Sequence, residues 1–140
     1  MSENLEADLV INIINLHSKI QKKVGTALSA HGIGLSEYLV LNQLYRAKNQ
    51  KMRRSDLAEQ VGLSPSGVTR LLNPMEKIGL VKKEESPRDA RVSLVALSET
   101  GKTITEEATA TFGYSSVSLL EVLDQQQLSS LSALLRVITK

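Results

Sequence analysis

One stretch, SDLAEQVGLSPSGVTRLL at residues 55–72, restricts the possible folds of this chain more than any other. Ser55 is predicted to cap a short helix, and Gly62 suits the turn that follows it. Ser64 and Pro65 mark the start of a second helix, because proline at the first helical position lacks only an amide hydrogen that has no partner there. Two short helices joined by a glycine turn predict a helix-turn-helix unit.

The second helix of this unit has an apolar side and a small, polar side. At 100° per residue, the apolar side holds Val68, Leu71, Leu72 and Met75. The opposite side holds Ser66, Arg70, Asn73 and Lys77, with Thr69 beside this stripe and Gly67 at its border. Short donors and acceptors next to cations suit the base edges and phosphates of a DNA major groove. A surface helix that faces only water is the alternative.

Pro74 interrupts the polar pattern of the same helix. Proline removes the amide that would bond the carbonyl of Arg70, which costs about 3 kcal/mol in a regular helix interior. Met75 and Ile78 nevertheless keep the apolar period. The sequence therefore predicts a helix that is kinked at Pro74 and continues to about Lys77.

A β-hairpin is predicted directly after this helix. LVKKEE and RVSLVAL are rich in strand formers, and SPRDA joins them. The tip carries Arg88, Asp89 and Arg91, and a hairpin at this place is typical of the wing of a winged helix. An arginine is attracted into a narrow minor groove, and Asp89 could orient Arg91 through a bidentate pair. A solvated turn would also use these residues.

The flanking segments predict helices with more apolar surface than a small domain can bury. A long first helix, with leucine and isoleucine every three or four residues from Leu5, ends at HGIG. Ser36 is predicted to cap the next helix, and Met52 and Arg53 to form a short strand. Ser98 is predicted to cap a long helix that bends near Gly113, and Asp124 and Gln127 a capping box before the last helix. The apolar excess at both ends of the chain suggests a partner subunit.

Charge and composition narrow the function classes. Between Arg46 and Arg91, eleven Lys and Arg stand against six Asp and Glu, while the rest of the chain is acidic. A basic centre of this kind is typical of nucleic-acid modules.

The chain has no cysteine, and its two histidines are far apart, so no metal or cofactor is expected. No catalytic motif favours an enzyme. The acidic start without a signal-peptide pattern and the lack of a long apolar run predict a cytoplasmic protein with no membrane association.

The stretches DLAEQVGLSPSGVTRLLNPMEKIGLV and SPRDARVSLVALSETG, and the order of the elements, resemble the multiple-antibiotic-resistance regulator (MarR) family of bacterial transcription factors. The resemblance implies a mainly α fold with a small β-wing. It also implies an obligate homodimer, with residues 1–34 and 99–140 as the helical dimerisation region and residues 35–98 as the DNA-binding region.

The family positions transfer to this chain residue by residue. Major-groove contacts are expected from Ser66, Gly67, Thr69, Arg70 and Asn73. Ser64, the cap of this helix, is also expected among the DNA-binding residues. Arg91 is the arginine expected to enter the minor groove, and Asp89 is expected to orient it. Arg88 is expected near the DNA backbone. Phosphate contacts are expected from Arg53, Arg54 and Lys77. Pro74 stands where the family often has a basic residue, and one phosphate contact is therefore not expected here.

These observations predict a dimeric transcriptional regulator that binds a nearly palindromic site on double-stranded DNA. Repression is the favoured mode of regulation, and activation is the alternative. The family commonly releases DNA on binding a small aromatic anion. Tyr38 and Tyr45 are expected at core positions of their helix, and either would contact such an effector if it lines a cleft. The alternative from a different class is a winged-helix module that binds an acidic protein without specific DNA binding.

Overall fold

The computed structural model describes residues 3–140, which form six α-helices and one three-stranded antiparallel sheet. The helices are α1 (Leu5–Leu28), α2 (Leu35–Arg46), α3 (Arg54–Val61), α4 (Pro65–Lys77), α5 (Glu99–Leu120) and α6 (Gln125–Thr139). The strands are β1 (Lys51–Arg53), β2 (Val81–Glu85) and β3 (Ser93–Leu97), and 3₁₀ turns lie at Ser29–His31 and Lys48–Gln50. This is the mainly helical fold with a β-wing that the sequence predicts.

The sheet has the strand order β1-β3-β2, so the hairpin pairs on one side with the strand that precedes α3. Val81 lies opposite Leu97 in one ladder, and Lys51 lies opposite Ala96 in the other. Lys51 Nζ contacts Glu84 Oε1 at 3.2 Å and thereby links the two outer strands across β3. The predicted short strand at Met52 and Arg53 is confirmed, and it anchors the wing to the helix-turn-helix unit.

Three predicted helix starts are confirmed by their hydrogen bonds. The amide of Gly67 donates to Ser64 Oγ at 3.1 Å, with Pro65 as the first residue of α4. Ser98 caps α5 in the same way, accepting from the amide of Gly101 at 2.9 Å. At α6, Asp124 and Gln127 satisfy each other's amides in a capping box. Each cap supplies an acceptor to an amide that the helix itself leaves without a partner.

Two other predicted caps are wrong. Helix α2 begins at Leu35 with Gly34 as its N-cap, two residues before Ser36, because Glu37 Oε1 accepts from the amide of Gly34 at 2.7 Å. Helix α3 begins at Arg54 rather than after Ser55. Its N-cap, Arg53, is the last residue of β1, and the sheet holds it in the extended conformation from which the helix starts.

The two helices that contain poor helix formers in their interiors, α4 and α5, are continuous. Helix α4 passes through Pro74 and ends at Lys77 as expected, with the amide of Ile78 bonded to the carbonyl of Pro74 at 3.1 Å; the kink itself stays a prediction. Helix α5 runs without interruption through Gly113, so the low helix propensity of this stretch does not end the helix.

One core joins the helix-turn-helix unit to the long helices. Leu57, Val68, Leu72 and Met75 pack in the same buried cluster as Leu28 and Ala108, which lie on α1 and α5, and as Val81 and Val95 of the sheet. The helix-turn-helix unit is therefore held rigidly against the long helices, because a shared core resists independent motion of its parts.

The ends of the chain leave a large apolar surface exposed, as the sequence predicts. On α1, Leu9 and Ile13 are 50% and 48% exposed, and Leu5, Val10 and Ile14 are more exposed still. On α6, Leu134, Val137 and Ile138 are exposed in the same way. None of the helices within residues 3–140 has the length and apolarity to cross a membrane. Contiguous exposed apolar surface of this kind marks an interaction site.

Candidate nucleic-acid interface

Helix α4 presents the predicted polar stripe to solvent. Val68, Leu72 and Met75 are buried, and Leu71 is partly buried, so the apolar side of the helix faces the core. The opposite side is exposed at Ser66, Thr69, Arg70, Asn73 and Lys77. The structure therefore brings these five predicted contact residues onto one accessible face.

The amino end of α4 is organised by its own hydrogen bonds. Ser64 Oγ lies 3.2 Å from Ser66 Oγ while it also accepts from the amide of Gly67. A Cβ at Gly67 would lie 3.2 Å from Ser64 Oγ and 3.6 Å from Leu63 Cβ. The sequence attributes the absence of a side chain at Gly67 to a close approach of DNA. In the structure the packing of the cap is by itself a reason for glycine at this place.

Arg54 and Thr69 form a contact that sequence reasoning missed. Arg54 Nη2 donates to Thr69 Oγ1 at 3.0 Å, and Thr69 Oγ1 donates to the carbonyl of Pro65 at 3.1 Å. The sequence assigns Arg54 to a phosphate and Thr69 to a base, as separate contacts. No spacing rule links residues fifteen apart on different helices, and only the packing of α3 against α4 joins them.

The tip of the wing holds its arginine as predicted. Arg91 Nε and Nη2 donate to the two carboxylate oxygens of Asp89 at 3.1 and 3.3 Å, and the amide of Arg91 donates to Asp89 Oδ1 at 3.0 Å. The Arg91 side chain is nevertheless 91% exposed. The bidentate pair therefore fixes the direction of a guanidinium that points into solvent, where a ligand can meet it.

The charges around the wing favour the ionised form of this pair. Hydrogen bonds from the Arg91 side chain and amide lower the pKa of Asp89, and the charge of Arg53 lowers it further. Both effects favour the carboxylate form of Asp89 that the pair with Arg91 requires. Arg88 is the other cation of the tip, and its amide donates to Ser86 Oγ at 3.3 Å.

A carboxylate also lies on the exposed end of α4. Glu76 lines a shallow surface depression together with Asn73 and Lys77. Glu76 is not among the predicted DNA-contact residues, although the sequence places it between Asn73 and Lys77. A negative charge beside Lys77 reduces the attraction of that lysine for a phosphate.

The two tyrosines expected to contact an effector are engaged within the chain. Tyr38 is buried, its ring stacks on Phe112 with 4.8 Å between centroids, and its hydroxyl lies 2.9 Å from Thr109 Oγ1. Tyr45 donates to Glu106 Oε2 at 2.8 Å, and this hydrogen bond raises the pKa of Tyr45. Both residues link α2 to α5.

Comparison with known proteins gives consistent results for sequence and structure. Residues 31–92 match the sequence model of the MarR family. The HTH-type transcriptional regulator PrsX of Escherichia coli is 28% identical over 88 residues, which cover 63% of this chain and 53% of PrsX. The chain thus spans about half the length of this relative.

Solved structures share the fold over almost the whole chain. AbsC, a MarR family transcriptional regulator from Streptomyces coelicolor, superposes with a TM-score of 0.89 at 21% identity, covering 99% of this chain and 95% of AbsC. A mutant MarR from E. coli, complexed with operator DNA, gives a TM-score of 0.86 at 21% identity and covers 99% and 100%. At these identities the superpositions establish the fold.

Proposed function

Since the chain belongs to the MarR family of winged-helix transcriptional regulators, we propose that it binds a nearly palindromic site on double-stranded DNA as a homodimer and represses transcription there. The observation that carries this proposal is the face of α4, where Ser66, Arg70 and Asn73 project from a helix whose other side is fixed in the core. Two similar proteins, MdtR of Bacillus subtilis and MprA of Escherichia coli, are transcriptional repressors, which supports repression here.

The exposed apolar surfaces of α1 and α6 support the homodimer. Leu9, Ile13 and Leu134 are at least 48% exposed on helices that lie outside the helix-turn-helix unit. A second copy of the chain covers such a surface by two-fold symmetry, which is the commonest arrangement in soluble oligomers. Two α4 helices related in this way require half-sites about one helical turn, roughly 34 Å, apart.

Arg70→Ala removes one contact in each half-site of the proposed homodimer and is expected to weaken binding to the preferred duplex by at least about thirtyfold. A bidentate arginine contact to a base is worth about 1–3 kcal/mol of discrimination. The preferred duplex is first selected from a random oligonucleotide pool, and affinity is then measured by mobility shift at low salt. The variant should also lose its preference at one base position, since base contacts carry sequence information and phosphate contacts do not.

Lys22→Ala is the matched control, because it removes one positive charge from α1 and leaves α4 unchanged. It should bind within about twofold of the wild type, as expected for one distant screened charge. Wild-type affinity in Arg70→Ala would refute the assignment of α4 as the reading helix. Binding of the wild type to every duplex equally well would favour the alternative function, a module that binds an acidic protein.

Arg91→Ala is expected to lower affinity on the order of tenfold for duplexes with A·T-rich flanks and much less for G·C-rich flanks. The narrow minor groove of A·T-rich DNA concentrates negative potential around an inserted arginine. Arg88→Ala on the same tip should weaken both duplexes equally, because a phosphate contact does not distinguish flanks. Equal losses for the two flanks in Arg91→Ala would argue against minor-groove insertion.

A small aromatic effector stays a prediction of the sequence. Within the described residues, the hydroxyls of Tyr38 and Tyr45 already have partners on α5, and Tyr38 is buried. An effector that takes the hydroxyl proton of Tyr45 therefore competes with a hydrogen bond that links α2 to α5.

A further inference from the structure

The hydroxyl group of Thr69 is committed to the protein itself. A hydroxyl has one proton to donate and two lone pairs to accept with. Thr69 Oγ1 donates its proton to the Pro65 carbonyl one turn earlier, at 3.1 Å. One lone pair accepts from Arg54 Nη2 at 3.0 Å. Thr69 therefore has no proton left with which to read the acceptor atoms of a base.

The charge of Arg54 limits the remaining lone pair as well. In a major groove the donors that could approach it are the amino groups of adenine and cytosine. Such a group carries partial positive charge and would approach an oxygen that already lies beside a guanidinium. Repulsion between the two donors disfavours this contact. The part of the exposed Thr69 side chain that has no polar partner is its methyl group.

We propose that Thr69 determines specificity by packing its methyl group on the methyl group of a thymine, and that Arg54 enforces this by occupying the hydroxyl. Thymine is the one base that presents a methyl group in the major groove. The inference rests on the proposed function, since it requires α4 to enter that groove. It makes Arg54 a positioning residue for base recognition, in addition to any contact that its other N–H groups make with phosphate.

The test replaces thymines of the selected duplex, one at a time, by deoxyuridine, which lacks only the C5 methyl group. For the wild type we expect one thymine per half-site whose replacement lowers affinity about fourfold, and about fifteenfold when both half-sites are changed. Thr69→Val keeps the methyl group and should keep this loss. Thr69→Ser keeps the hydroxyl and should bind the two duplexes equally well.

Arg54→Met is the third variant. Its base preference, and not its total affinity, is compared with that of the wild type. Without the guanidinium, the hydroxyl of Thr69 can accept from a cytosine amino group. The preference for thymine over cytosine at that position should narrow about threefold, the value of one ordinary hydrogen bond. Melting temperatures of all three variants establish that each is folded.

The outcomes distinguish this inference from the function on which it rests. The wild type could bind specifically and yet have no thymine whose replacement by deoxyuridine lowers its affinity. That result would overturn the inference and leave the proposed function intact. A deoxyuridine effect that survives in Thr69→Ser would show that another side chain contacts the thymine methyl group, and it would overturn the inference. Absence of sequence-specific binding by the wild type would overturn both. An unchanged preference in Arg54→Met would remove Arg54 from base recognition.

Discussion

Replacing Gly101 by alanine is expected to lower the free energy of unfolding by about 3 kcal/mol, the upper part of the usual range for overpacking. An added Cβ at this position overlaps the carbonyl oxygen of Leu80 and lies 2.9 Å from Leu97 Cδ1. The obstacle is backbone, so no side-chain rotation relieves it. Thermal and urea unfolding measure the loss, provided that protein concentration is held constant.

The surroundings of Gly101 prevent α5 from moving away. The carbonyl of Leu80 accepts from the amide of Ser98 at 3.1 Å and from Ser98 Oγ at 2.9 Å. The same hydroxyl oxygen lies next to the carbonyl of Gly79 and caps α5. A shift of α5 that makes room for a methyl group therefore breaks the hydrogen bonds of Ser98. These bonds join the start of α5 to the segment that follows α4.

Gly113→Ala on the same helix is the matched control. Apart from the backbone of its own helix turn and its chain neighbours, no described atom lies within 4 Å of a Cβ built there. The substitution should stabilise the protein by about 0.5–1 kcal/mol, because alanine is the better helix former. Equal stability of Gly101→Ala and the wild type would show that the start of α5 does not pack on Leu80 in solution.

The features that the sequence predicted correctly depend on neighbours along the chain. Ser64 caps α4 through an amide three residues away, and Asp89 pairs with Arg91 two residues away. Such contacts follow from local geometry, and so do the polar and apolar sides of α4. The caps proposed at Ser36 and Ser55 failed because Glu37 and the strand β1 fix those helix starts instead.

The features that the sequence could not predict depend on packing between elements. The bond from Arg54 to Thr69 exists because α3 and α4 lie against each other, and it changes what Thr69 can offer to DNA. The core position predicted for Tyr38 is confirmed, but its stacking partner Phe112 on α5 could not be predicted. In both cases the sequence identified the residue, and the tertiary fold decided which side chain it contacts.

Ile13→Glu is expected to convert the protein to a monomer and to weaken binding to the palindromic duplex by about 10²–10⁴-fold. Ile13 is 48% exposed within the isolated chain, amid Leu9, Val10 and Leu16 on α1. In the proposed dimer this surface is buried, and a carboxylate buried there without a partner costs several kcal/mol. A monomer loses the second half-site, and with it the avidity of two linked contacts. Sedimentation and mobility shift measure the two effects.

Asn15→Glu introduces the same charge on the opposite, polar side of α1 and should leave both the dimer and the affinity unchanged. The fold of each chain should survive in both variants, because the residues of α1 that join the core, Val24 and Leu28, lie near its other end. Circular dichroism checks this point. A dimer that persists in Ile13→Glu would exclude this side of α1 from the subunit contact. The two α4 helices would then need another surface to hold them one helical turn apart.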